Sequence, residues 1–152
     1  MRIATIILAV FASLPAWVGA QGADPLAGAW EHTSGRNLTT GESQTVEPAP
    51  LHVIYSNGHY VQFRGAANRA KIDAPRESRT REQLVDLSNA AGQYGTYQLS
   101  GGKFTRRIVS ALEPSNEGRE VTADFKIEGD TLIVTGTNAQ GQKTEQRFRR
   151  LK

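Results

Sequence analysis

The sequence has no cysteine among its 152 residues. That excludes disulfides, a thiolate metal site and the lipid-modified cysteine of bacterial lipoproteins. Charge of one sign is also scarce. Eighteen Lys and Arg stand against fifteen Asp and Glu, a formal net charge of only +3. The basic residues are interleaved with acidic ones. Even the densest stretches, Arg76 to Arg81 and Arg147 to Lys152, read as solvated surface and not as a phosphate track. No nucleic-acid partner is expected. No apolar run reaches the ~20 residues that a spanning helix needs. Phosphate-binding loops, dinucleotide glycine fingerprints, nucleophile elbows and zinc-protease motifs are all missing, so no cofactor is expected.

The chain opens on Met1-Arg2, an apolar run from Ile3 to Leu14, then Pro15 and Trp17-Val18-Gly19-Ala20 before Gln21. A positive start, a short apolar stretch and a small-residue cleavage site are the marks of an export signal. The expectation is a signal peptide over 1–20 and periplasmic or secreted localisation, with no stable membrane anchor after cleavage. Removing residues 1–20 from 152 leaves 132, the length of a single domain. Arg2 leaves with them, and the formal charge falls from +3 to +2.

The clearest local signal in the remainder is Asn57-Gly58. Leu51 to Ser56 precedes it and His59 to Arg64 follows. Asn-Gly between β-branched and aromatic runs predicts a two-residue hairpin, because both turn residues must take positive φ. The turn sets Tyr55 opposite Tyr60, Ile54 opposite Val61, and His52 opposite Phe63. One face then carries His52, Ile54, His59, Val61 and Phe63, and the other Val53, Tyr55, Tyr60 and Gln62. Both faces hold apolar groups, so parity does not say which points inward.

Leu26 to Thr33 can begin a strand, and Gly35 to Pro50 reads as loop with weak edge pairing. Residues 65–79 lack periodicity. Thr80 to Gln83 fits a capping box, with a short helix over Leu84, Val85, Leu87, Ala90 and Ala91 that Gly92 can end. Five more strands are expected over Gln93–Leu99, Lys103–Leu112, Arg119–Glu128, Thr131–Thr137 and Gln142–Leu151. Val121, Ala123, Phe125 and Ile127 alternate with polar residues, the pattern of a half-buried strand. The count predicts a mainly β domain over 21–152: an antiparallel up-and-down barrel of about eight strands with one short helix.

Several short stretches resemble the bacterial secreted lipocalin-like domains of unknown function. They are Leu26-Ala27-Gly28-Ala29-Trp30, Asn57-Gly58-His59-Tyr60, and Gly95 to Leu99 leading into Gly101-Gly102. Ile127 to Leu132 and Gln146 to Arg150 continue the likeness, which covers most of 26–151. It implies a calycin-type barrel and little about the ligand. It also implies that Gly28-x-Trp30 packs under a basic residue of the last strand, Arg149 or Arg150. A guanidinium over an indole is a favourable cation–π pair that closes the barrel base. Arg106-Arg107 stand where many relatives carry an acidic or histidine pair.

If the barrel is hollow, Tyr60, Tyr94, Tyr97, Phe125 and Arg106 would line or rim its cavity, with His59 beside them. Arg106 shares its parity with Phe104 and Ile108. Either that face is only partly buried, or Arg106 pairs with an acid, or it faces a ligand carboxylate. In the competing reading Thr105, Arg107 and Val109 point inward and Arg106 is surface. His32, His52 and His59 fall on the first strands, but no metal site is expected from them. The leading reading is a binding barrel for a small apolar or amphipathic molecule. The alternatives are an enzyme on a small hydrophobic substrate, with His59 or a tyrosine as acid–base group, and an interaction module with a packed core.

Overall fold

The computed structural model describes residues 24–44, 49–65, 71, 73, 75–83 and 90–152. The expected signal over 1–20 and residues 84–89 of the expected helix lie outside them. Nine strands follow in order: β1 (Gly28–Asn37), β2 (Ser43–Gln44), β3 (His52–Ser56), β4 (His59–Arg64), β5 (Ala91–Ser100), β6 (Lys103–Ala111), β7 (Glu120–Glu128), β8 (Thr131–Thr137) and β9 (Lys143–Arg150). β1 pairs with β3 through its first half and with the two-residue β2 through its second. From β3 to β9 each strand pairs with the next, and β9 returns to β1 antiparallel. Eight strands thus close into an up-and-down barrel, which leaves no long unpaired edge.

The Asn57-Gly58 turn sets the expected register. Asn57 has φ 48° and Gly58 φ 76°, and Tyr55 faces Tyr60 while Ile54 faces Val61. The structure also decides the face. Val53, Tyr55 and Tyr60 are buried, while Ile54, Val61 and Phe63 are about half exposed. The inward groups meet the rest of the core at one end of the barrel. Trp30, Tyr97, Phe104, Leu132 and Phe148 pack there with Leu26 and Leu51. The Tyr55 and Tyr97 rings meet edge to face at 5.1 Å, a geometry that aromatic quadrupoles favour.

This end, the base, is sealed by the chain leading into β1. Leu26 is fully buried, and its carbonyl accepts the Trp30 indole N–H at 2.8 Å. The Asp24 carboxylate accepts from the Leu26 backbone N–H and from the Tyr97 hydroxyl. Arg150 lies 4.1 Å from the Trp30 ring centroid and donates to the carbonyls of Ala27 and Pro25. Arg149 points outward instead and pairs with Glu31 at 2.5 Å.

Two departures from the expected elements have clear causes. Ala91 and Gly92 belong to β5 and do not end a helix, because they pair with Arg64 and Phe63 of β4. β1 runs on to Asn37 because β9 pairs with it along that whole length, with a bulge between His32 and Ser34. The capping box is present: Gln83 N–H donates to Thr80 Oγ1 at 3.3 Å, and Thr80 N–H to Gln83 Oε1 at 3.0 Å. Residues 81–83 are helical. Ile133 is buried although its parity is outward. Its cross-strand neighbours are Lys126 and Arg147, whose aliphatic stems cover apolar surface while their charges stay wet.

Candidate functional site

Above the base the barrel interior changes character. β4 places Tyr60, Gln62 and Arg64 on its inner face, since side chains two apart share a face. β6 does the same with Phe104, Arg106 and Ile108. Phe104 and Ile108 are buried, whereas Val109 and Arg107 are exposed. The Arg106 face is therefore the inner one. Cross-strand pairing with Tyr97 on one side and Val121 on the other holds Arg106 in the interior.

Arg106 donates from Nη1 to Gln62 Oε1 at 3.0 Å. Its guanidinium lies 5.2 Å from the centroids of both the Tyr60 and Phe104 rings, within range of cation–π attraction. Its Nε is buried and has no hydrogen-bond partner. Burial pushes the Tyr55 and Tyr60 phenols above the ordinary tyrosine value, with the Arg106 charge pulling the other way. Burial, and then the bond to Asp24, pushes Tyr97 up as well. All three phenols are protonated at neutral pH: Tyr97 donates to Asp24, Tyr60 accepts from Gln93 Nε2 at 3.4 Å, and Tyr55 accepts from Arg106.

Arg64 stands nearer the mouth on β4, and its Nε is likewise buried without a partner. Its charge reaches His32 on β1, which packs against Phe148 at 5.1 Å between ring centroids. Burial first, and the Arg64 charge second, hold His32 below the ordinary imidazole pKa, against a backbone contact at Ser34. Neither ring nitrogen has a partner of good geometry.

The low pKa of His32 has a consequence for stability. Below the unfolded value of about 6.5 the unfolded chain takes up a proton that the folded chain resists. Stability therefore falls as pH drops from that value toward the folded pKa, and His32 has no such effect above it. Wild type should lose more of its melting temperature than His32→Gln between about pH 7.5 and about pH 5. Equal losses would show that His32 is not the group responsible.

The expected site residues separate into three places. Tyr60 and Tyr97 form the packed floor, at 1% and 5% exposure. Arg106 and the half-buried Phe125 stand on the inner wall, where Phe125 meets Phe104 at 6.0 Å. His59 and Tyr94 point outward, because each is next in its strand to an inward residue, Tyr60 or Gly95. Tyr94 joins an exposed apolar row with Ile54, Val61, Phe63 and Leu112 on the outer wall of β3 to β6. His52 is also outside, 3.9 Å from Glu31. The three histidines do not converge, and the described residues contain no cluster of metal-binding side chains. Gln62, Arg64 and His32 were not among the expected site residues. The signal for the first two was their parity with Tyr60, usable once that face is known to be the inner one.

No family model matches the chain, and no curated protein matches it in sequence. Solved structures do. A lipocalin-like protein from Bacteroides uniformis superposes with a TM-score of 0.52 at 15% identity, covering 83% of this chain and 98% of that one. An uncharacterized protein from Bacteroides eggerthii gives 0.50 at 13% identity, covering 83% and 99%. At such identities the likeness concerns the backbone and not the chemistry inside it. The chain has the fold of a bacterial lipocalin-like barrel.

Proposed function

We propose that the protein is an exported binding barrel that holds a small apolar or amphipathic molecule in the upper half of its interior. One observation carries this reading. Val121, Phe125, Val134 and Gln146 face inward, yet each remains partly exposed, while the base beneath them is packed. A barrel filled throughout by its own side chains would bury such residues. Small-molecule sites pair apolar walls with a few fixed polar groups, and here those groups are Arg106 and Gln62. An acid–base role for His59 finds no support in its outward position. The export part of the reading rests on the pattern of residues 1–20.

The test is titration of the purified protein with N-phenyl-1-naphthylamine, a neutral apolar fluorophore. Saturable enhancement at one probe per chain is expected, and enhancement that never saturates would contradict it. Protein recovered from its host should begin at Gln21, and an intact Met1 would count against export.

A further inference from the structure

We infer that the occupant of the upper interior is an anionic amphipath, its carboxylate held by Arg106 with Arg64 as the second cation and its chain lying on the apolar wall. This rests on the binding reading above and adds the charge of the ligand. Its basis is an imbalance inside the barrel. Two guanidiniums face inward, each with a buried Nε that has no partner. None of the seven ion pairs among the described residues includes either of them.

Nor, among the described residues, does the inner wall supply a carboxylate. Glu31 and Glu145 are engaged by Arg149 and Arg147 outside the barrel. Asp124 pairs with Lys103, and Glu128 with Lys126, on the outer wall. Asp24 lies at the base and is committed to Tyr97. The inward polar partners Arg106 does have are the Gln62 amide and the Tyr55 hydroxyl, neutral groups that orient a guanidinium without neutralising it. A half-buried cation left in this state, its Nε shut away from water, is costly. Solvent entering from the mouth, or an anion, must offset the cost.

The arrangement favours a carboxylate on a chain over a free anion. Gln62 occupies Nη1 of Arg106 and leaves the buried Nε unpartnered, the nitrogen through which a guanidinium receives a carboxylate side-on. The tyrosine and phenylalanine rings on either side are apolar. Farther along the wall stand Val121, Phe125 and Val134, which are surfaces for methylene groups and not for water. Arg64, two residues beyond Gln62 on the same face, puts a second positive charge on the mouth side. A ligand would then sit with its head beside β4 and β6 and its chain toward β7 and β8.

The experiment is calorimetric titration of the whole protein, near neutral pH and below micellar concentrations, with dodecanoate, dodecan-1-ol and acetate. Dodecanoate should bind at least about tenfold more tightly than dodecan-1-ol, and acetate should give no heat. Arg106→Met should erase that preference by weakening dodecanoate alone. Its retained binding of dodecan-1-ol reports that the barrel is intact. Arg64→Met should reduce the preference by a smaller factor and decides the matter if Arg106→Met does not fold. Equal binding of dodecanoate and dodecan-1-ol would overturn the anionic assignment and leave the binding barrel standing. Binding of neither would overturn both. Acetate binding as tightly as dodecanoate would mean an anion site with no place for a chain, and would overturn the inference too.

Discussion

Gly95→Ala should cost the protein about 3 kcal/mol or more, at or above the upper end of ordinary overpacking. Gly95 is buried in β5 where the β5–β6 register shifts. A Cβ there would lie 2.0 Å from the Arg107 carbonyl oxygen and 3.0 Å from Tyr60 Cε1. The first of these is backbone in a paired strand and cannot swing aside. Accommodation would need β6 to move away from β5 just beside Arg106. Against a total stability of about 5–15 kcal/mol, such a loss brings the variant near unfolding. Gly136→Ala is the control, since its Cβ would meet only the Ala123 Cβ at 3.6 Å, an ordinary contact. Urea unfolding followed by circular dichroism reads both. Similar midpoints for the two variants would show that the crowding at Gly95 relaxes without cost.

Trp30→Ala should destabilise by about 3–5 kcal/mol, the range for removing a large buried aromatic. Trp30 is fully buried at the centre of the base. Its loss leaves the Leu26 carbonyl without its indole donor and Arg150 without the ring beneath it. Trp30→Phe keeps a ring for Arg150 and loses the N–H, so it should fall between wild type and alanine. Arg150→Met should cost less than either, about 1 kcal/mol, because the guanidinium is partly solvated. The order wild type, Arg150→Met, Trp30→Phe, Trp30→Ala is the expected result in the same unfolding experiment. An alanine variant as stable as Arg150→Met would show that the base is not held through Trp30.

These two positions differ in how far the sequence announces them. Gly28-x-Trp30 carries a recognisable pattern, and only the choice between Arg149 and Arg150 waits on structure. Parity makes that choice: Arg150 pairs with Trp30 across β1 and β9 and shares its face, while Arg149 pairs with Glu31. Gly95 gives no local warning. Its crowding exists only because β6 bulges against it, which is a property of two strands together.

The same distinction governs the interior. The β3–β4 register is legible because a two-residue Asn-Gly turn admits one pairing. Its inward face is not legible, because Ile54, Val61 and Phe63 make the outer wall as apolar as the inner. Folded proteins keep much apolar surface exposed, so hydrophobicity alone could not choose. The long-range packing of Tyr55 and Tyr60 with Tyr97 chooses. Strand parity groups Arg106 with Phe104 and Ile108 but does not say whether that face points inward, whereas Tyr94 and His59 are attractive by residue type and excluded by parity. Tyr94 and Tyr97 are an odd number of residues apart, and His59 adjoins Tyr60. Neither pair shares a face within a regular strand.

The most direct test of the binding barrel compares one inward and one outward substitution in the N-phenyl-1-naphthylamine titration. Val134→Trp fills the upper interior from β8, whereas Phe63→Ser alters the exposed apolar row on the outer wall. Val134→Trp should weaken probe binding about tenfold or more while Phe63→Ser leaves it near the wild-type value. Probe binding that survives Val134→Trp and fails in Phe63→Ser would place the site on the outside of the barrel and contradict the account.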